Sequence, residues 1–381
     1  MKPVVIIGTG LAGYNLAKEI RKIDKTIPLQ LITADDGESY SKPMLSNALS
    51  KHKTPAQLVM STAEQMAGQL AASIQTNTRV KSIDTANRKL ATDTGDVEYH
   101  KLVLAVGACQ IDPSLGGDAA MDVLTVNNLD DYRVFRNALE TAEHVGIVGP
   151  GLIGCEFAND LLSSGKKVTV IGPAHFPLDR LLPEAVGNLL MQKLESAGVQ
   201  WRLGVLATGV NKHDDGYQIM MNDGSHLDVD LVLSAVGLRP DTALAEHAGI
   251  KVNRGIVVDR ILQTSAPDVY ALGDCIELDG LVLPFVLPLM NSARTLAKTL
   301  TGTTTEIRYP AMPVVVKTTA HPVVVSPPQY NVSGEWKIEI DDTGARAIYE
   351  CDDGSIAGFV LTGDKVSEKQ ALTKTLPAVL E

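Results

Sequence analysis

"VVIIGTGLAGYNLA", residues 4–17, runs from an apolar stretch of strand length through three glycines into an amphipathic helix. Leu11, Tyr14 and Ile20 fall on one helical stripe, with Lys18, Glu19 and Arg21 on the other side. A second strand follows in "IPLQLITADD". Strand, glycine turn, helix and strand make a βαβ unit, and Gly8-x-Gly10-x-x-Gly13 sits at its first turn. Gly8 permits the tight turn, Gly10 lets a pyrophosphate approach the backbone, and Gly13 lets helix and strand pack closely. The helix start, from Thr9 through Leu11 and Ala12, offers free N–H groups and partial positive charge to an anion. At the end of the second strand, where a carboxylate would hold a ribose hydroxyl, stand Thr33, Ala34 and Asp35. Asp35 is the expected substitute, with a solvated turn acid as the equal alternative.

The pattern returns at "GIVGPGLIGCEF", residues 146–157, with Gly149 lying 141 residues after Gly8. Gly149, Gly151 and Gly154 repeat the spacing, Leu152 and Ile153 open the helix, and Glu156 lies just inside it. Gly172 occupies the acidic position at the end of the following strand, and no arginine stands beside it to take a 2′-phosphate. A second dinucleotide site is expected, with the choice between NADH and NADPH left open. Two βαβ units imply parallel sheets covered on both faces.

The 381 residues carry a net charge of −11, which weighs against nucleic acid as a partner. Cys109, Cys155, Cys275 and Cys351 form no Cys-x-x-Cys, and the eight histidines show no ligand spacing, so no metal site and no dithiol centre are expected. The most apolar run, "LVLPFVLPLM", is interrupted by two prolines and too short to span a bilayer, and no secretory signal opens the chain. A cytoplasmic monomer without membrane insertion is the expectation. The tail from about residue 311 reads as β-rich, then as a short helix.

Three further segments support a resemblance. "TSAPDVYALGD" (264–274) carries the threonine and aromatic-Ala-apolar-Gly-Asp pattern of flavoproteins, and "LVLAVGA" and "LVLSAVG" resemble the paired linkers around an inserted nicotinamide domain. With both glycine turns in order, the chain resembles the glutathione-reductase-like flavoproteins that bind two dinucleotides. Within that group, "YSKPMLSNALS", "GLIGCEFANDL", "GLRPDTALAEHAGI", "RGIVVD", "YALGDCIELDG" and "YPAMPVVVKT" resemble the bacterial rubredoxin reductases.

The resemblance implies an α/β fold. A discontinuous FAD domain would cover 1–110 and 241–311, an NAD domain 111–240, and a small α+β C-terminal domain 312–381. It implies FAD and NADH as cofactors, rubredoxin as partner, and supply of electrons to an alkane hydroxylase. Lys42 resembles the lysine beside the flavin N5, and Glu156 the glutamate that pairs with it and borders the nicotinamide. Asp274 would lie by the ribityl phosphate, Val80 by the adenine, Val286 by the flavin ring and Lys317 by its pyrimidine. Ala105 and Gly107 fall to the FAD site and Gly237 to the NAD site. His321-Pro322 has no dithiol to serve and reads as a turn.

Two rivals share the fold or the flavin. One reduces a [2Fe–2S] ferredoxin or the rubredoxin-like domain of a nitric oxide reductase; the other binds flavin and nucleotide without turning over. Residues 41–53 hold Lys42, Lys51 and Lys53 without a carboxylate, and 307–334 hold Arg308 and Lys317 likewise. These stretches suggest a neutral-to-basic rim for an acidic carrier.

Overall fold

The computed structural model describes residues 2–329 and 332–381; Tyr330 and Asn331, within the 307–334 stretch, lie outside them. The strands used below are β1 (Val4–Ile7), β2 (Leu29–Ile32), β3 (Lys101–Leu104), β4 (His144–Val148), β5 (Lys167–Gly172), β6 (Leu231–Ser234) and β7 (Val269–Ala271). The helices are α1 (Leu11–Ile23), α2 (Leu129–Ala138), α3 (Leu152–Leu162) and α4 (Val286–Leu300).

The chain divides into two compact units. The first comprises Met1–Lys42, Gln57–Cys109 and Leu238–Tyr309. Its sheet runs β7-β3-β1-β2 and then Ser73–Gln75, all parallel. The strands β1, β2, β3 and β7 are almost wholly buried and rich in Val, Ile and Leu, as a sheet covered on both faces requires. Helix α1 buries Tyr14, Leu16, Ala17 and Ile20, the last three fully.

The second unit comprises Pro43–Ala56, Gln110–Gly237 and Pro310–Glu381. Its parallel sheet runs Val199–Leu203, β5, β4, β6. A five-stranded antiparallel sheet, order 314–316, 323–326, 356–362, 344–351, 334–341, forms the C-terminal part together with the short helix Lys369–Thr373. The strand Gly344–Cys351 was not legible in the sequence, because glycine, arginine and two alanines break its alternation.

Residues 43–56 and 310–381 group with 110–237 in this division, and side chains of 110–237 and 310–381 hold residues 43–56 there.

Candidate cofactor cradles and the Glu156–Lys317 ion pair

In the first unit, Gly8 takes φ +109° at the end of β1, and a Cβ there would run into the Ala105 carbonyl at the end of β3. A Cβ on Gly13 would overlap the Gly8 carbonyl oxygen. Gly10 differs: a Cβ there meets no protein atom within 4 Å. It is the N-cap of α1, with no side chain capping the helix and no acid in the first turn. The N–H groups at Leu11, Ala12 and Gly13 therefore lack an intrahelical acceptor, as helix starts do. Two other helices satisfy that need themselves. Ala63–Leu70 carries a Thr62/Gln65 capping box, and α2 is capped by Asn128 and followed by Asp130 and Asp131.

Around this opening the remaining first-unit candidates converge. Thr9 Oγ1 and Thr33 Oγ1 donate to Asp35 Oδ1 at 3.4 and 2.5 Å, and Gly37 N donates to the same oxygen at 3.0 Å. The exposed Asp35 carboxylate is thus oriented from three sides, beside Ala34. Thr78 N bonds the Thr33 carbonyl at 2.8 Å, which sets the strand beginning at Val80 near the same edge. A Cβ on Gly273 would stand 2.9 Å from Ala12 Cβ and 3.6 Å from Leu289 Cδ1. That close approach brings Asp274, α1 and the α4 turn that starts at Val286 together. Gly107 takes φ +75°, and its carbonyl accepts from Asp241 N at 3.0 Å. Burial pushes the Asp274 carboxyl above the usual range, and the Lys42 charge opposes that shift.

The second unit repeats the device. Gly149 has φ +118° against Ala235 beyond β6, and a Cβ on Gly154 would overlap the Gly149 carbonyl. Gly151 is the uncapped N-cap of α3 and, like Gly10, opens onto space, with Leu152 and Ile153 beginning the first turn. Gly237, at φ +122°, accepts from Ile111 N at 3.0 Å. Both openings fit a pyrophosphate: each offers uncapped N–H groups beside a glycine whose missing side chain leaves room.

Glu156 is 1% exposed on α3. Lys317 Nζ lies 2.6 Å from its Oε2, Ser46 Oγ donates to the same oxygen at 2.6 Å, and Lys317 N donates to Oε1 at 3.0 Å. The Lys317 ammonium also donates to the Pro43 carbonyl at 2.6 Å and to Ser46 Oγ at 2.9 Å. Three protons thus find three protein acceptors. The resemblance assigned Lys42 as the partner of Glu156 and gave Lys317 no carboxylate; within the second unit, Lys317 is an ion-pair partner of Glu156. Lys317 also belongs to the second unit, whereas the other FAD candidates belong to the first.

Ser46, Asn159 and Asp160 were missed. In "LIGCEFANDLL", the residues Glu156, Asn159 and Asp160 lie at i, i+3 and i+4, a polar face on a helix that is otherwise buried and apolar. That spacing was the available signal. His321 is buried, its Nε2 is 2.9 Å from Thr362 Oγ1, and burial lowers its pKa. Among the described residues no group of His, Cys, Asp or Glu could hold a metal, and no helix is long and apolar enough to cross a membrane. All four cysteines are free.

Residues 2–298 match the pyridine nucleotide-disulphide oxidoreductase family, and residues 306–376 match the rubredoxin binding C-terminal domain. The chain belongs to the pyridine nucleotide-disulphide oxidoreductases. A rubredoxin-NAD(+) reductase from Alcanivorax borkumensis is 49% identical over the whole length of both chains. A nitric oxide reductase FlRd-NAD(+) reductase from Vibrio vulnificus is 38% identical over 98% of each. The solved structure of a ferredoxin reductase from Rhodopseudomonas palustris shares 26% identity and a TM-score of 0.89, covering 99% of this chain and 96% of that one. Membership in this oxidoreductase family gives FAD and NADH as the cofactors.

Proposed function

We propose that this chain is an NADH-dependent rubredoxin reductase. The observation that carries this reading is a pair of open glycine cradles in a chain whose residues 306–376 match a rubredoxin binding domain. FAD, when bound, accepts a hydride from NADH and releases the electrons singly to a one-electron carrier. Gly8, Thr9, Gly10, Leu11, Ala12 and Gly13 would hold its pyrophosphate, and Asp35 its ribose. Asp274 would sit by the ribityl chain and Val286 at the ring. Gly149, Gly151, Leu152, Ile153 and Gly154 would hold the nicotinamide dinucleotide. The partly exposed Lys317 ammonium balances the buried Glu156 carboxylate, so the pair can orient a neighbouring ring without carrying net charge into the interior.

Lys51, His52 and Lys53 are exposed on the second unit and offer a basic approach for an acidic carrier. On this reading the protein acts as a soluble monomer in the cytoplasm and feeds an alkane hydroxylase. The full-length likeness to a nitric oxide reductase partner favours a second reading, in which the acceptor is a rubredoxin-like domain of such an enzyme.

Steady-state turnover with NADH against purified rubredoxin, a [2Fe–2S] ferredoxin and a rubredoxin-like domain separates the readings. Rubredoxin should give the highest kcat/KM, and Lys51→Glu with Lys53→Glu should raise only its KM. A higher kcat/KM for ferredoxin would overturn the proposal. Failure of NADH to bleach the flavin in stopped flow would make the chain a non-catalytic nucleotide binder.

A further inference from the structure

Pro150 stands between Gly149 and Gly151 in the second cradle. Proline has no N–H and no polar side chain, so its carbonyl is its one hydrogen-bonding group. Two groups of the same unit donate to that carbonyl, Leu178 N at 3.0 Å and the Cys155 thiol at 3.4 Å. Leu178 lies in the turn after β5, is 2% exposed, and holds φ +60°, a left-handed conformation that residues with a side chain rarely adopt. Its carbonyl closes the same turn, accepting from Leu181 N at 2.8 Å and Leu182 N at 3.0 Å. Cys155 is fully buried on α3. Burial, followed by the Glu156 charge, pushes its thiol above the usual range, so the sulfur keeps the proton it donates.

The cradle loop needs such a grip. Its two glycines rotate more freely than any other residue type, and the proline ring fixes only its own φ. One soft rotation remains, the one that would turn the Pro150–Gly151 peptide over. A trans peptide is planar, with its N–H pointing opposite to its C=O. Two donors on the Pro150 oxygen therefore aim the Gly151 N–H the other way. Among the described residues no protein group accepts from that N–H, and a Cβ on Gly151 would meet no atom within 4 Å. The first cradle is secured differently. Thr9, the counterpart of Pro150, is held through its side chain, which donates to Asp35 Oδ1 at 3.4 Å. Tyr14, the counterpart of Cys155, donates to the Gly37 carbonyl.

We propose that Leu178 and Cys155 are positioning residues for the nicotinamide dinucleotide: they lock the Pro150–Gly151 peptide so that the Gly151 N–H is presented to the pyrophosphate before the ligand arrives. The inference rests on the assignment of the second cradle to the nicotinamide dinucleotide in the proposed function. A ligand that enters and leaves in each cycle gains from donors already in place, because ordering them on binding would lower its affinity. The segment after β5, which offers no acid at Gly172, thus serves the cradle through a backbone N–H instead.

The test uses the FAD-loaded protein with Cys155→Ala, Cys155→Ser, an ester variant at Leu178, and that ester combined with Cys155→Ala. In the ester, the α-hydroxy analogue of leucine replaces the N–H by an oxygen. Dissociation constants for NAD+ and ADP-ribose, flavin content and melting temperature are measured. The ester should weaken NAD+ binding by roughly threefold to tenfold, the scale of one net hydrogen bond. Cys155→Ala should weaken it by about twofold to threefold, since a thiol is the weaker donor. Cys155→Ser keeps a donor and should restore wild-type affinity. The two changes together should weaken binding by more than the product of the separate factors, because the carbonyl is then held by neither donor. ADP-ribose, which keeps the pyrophosphate, should weaken in step with NAD+, and flavin content should stay as in wild type. A lowered melting temperature with wild-type NAD+ affinity would overturn the inference and leave both residues as anchors of the fold. Weakened NAD+ binding with unchanged ADP-ribose binding would overturn it too, by moving the effect away from the pyrophosphate. Where the ester variant is poorly folded the Cys155 pair decides, and equal affinity in its alanine and serine variants counts against the proposal. A wild-type chain that binds neither NAD+ nor ADP-ribose would instead bring down the functional reading, and this inference with it.

Discussion

The two cradles are built on one plan and finished differently. Gly8 N bonds the Ile32 carbonyl, and Gly149 N bonds the Ile171 carbonyl, both at 2.8 Å. That match aligns Thr9 with Pro150, Thr33 with Gly172 and Asp35 with Ala174. In the first unit the three polar residues bond one another and aim a carboxylate at the cradle's edge. In the second, a Cβ on Gly172 would collide with the Pro150 ring, and no carboxylate follows. The absence of an acid at Gly172 is therefore steric as much as chemical: while residue 150 is proline, residue 172 must be glycine. A cofactor held permanently gains from the extra oriented acceptor. A cofactor that enters and leaves each cycle binds adequately to the helix start alone.

Placing valine at the open glycines gives the largest expected difference between the cradles. Neither Gly10 nor Gly151 has a protein atom within reach of a new Cβ, so both variants should fold. Gly10→Val should lose flavin affinity by at least about a hundredfold, roughly 3 kcal/mol. Gly151→Val should keep its flavin and lose nicotinamide affinity on a similar scale. Flavin content after dialysis and NAD+ titration read the two; a yellow, fully loaded Gly10→Val protein would remove Gly10 from the FAD cradle.

Alanine at Gly13 or Gly154 should cost stability in both units, about 1–3 kcal/mol each, because the Cβ overlaps a backbone carbonyl that cannot swing away. Thermal unfolding checks this, and an unchanged melting temperature would mean that helix and strand separate more freely than the packing implies.

Converting the second cradle into the first is a finer test. Gly172→Thr alone should destabilise through Pro150. Pro150→Thr/Gly172→Thr/Ala174→Asp should relieve the clash and add a ribose acceptor. Such a hydrogen bond contributes about 0.5–1.5 kcal/mol, so the preference for NADH over NADPH should rise by roughly twofold to tenfold in kcat/KM.

The smallest effect concerns pH. Asp274 is an acid whose folded pKa lies above 3.8 because it is buried. Its protonated form fits the fold better, so its contribution is present at acid pH and is lost as pH rises through the raised value. In flavin-free protein, Asp274→Asn should melt a few degrees higher than wild type at neutral pH, with the gap closing toward pH 3.8. Lys42→Ala, which removes the opposing charge, should widen it. A gap that does not vary with pH would place the Asp274 carboxyl outside the buried environment described.

Much of the fold was legible because its signals are local. The strands at 4–7, 29–32, 144–148 and 231–234 are short apolar runs ending in glycine or a polar turn, and both helices start directly after the second glycine of their turn. The C-terminal strand Gly344–Cys351 was less legible, since its side chains follow the needs of two neighbouring strands rather than an alternating pattern. The cradle residues were legible for the same local reason. Ser46 and Asp160 were not, because a serine in a short turn and an aspartate in a helix acquire meaning only from groups about 110 residues away.

The order of residues alone determined two glycine turns, each between a strand and a helix, and with them the existence of two nucleotide sites. Backbone sterics and the helix dipole act within a dozen residues, and a sequence displays that range directly. Only the tertiary structure decided that Lys317 is a lysine that closes on Glu156, that residues 43–56 group with 110–237 and 310–381, and that Pro150 forbids a side chain at Gly172. Those outcomes depend on burial. A charge removed from water takes whichever partner the packed chain brings within reach, and which one arrives is a property of the whole fold.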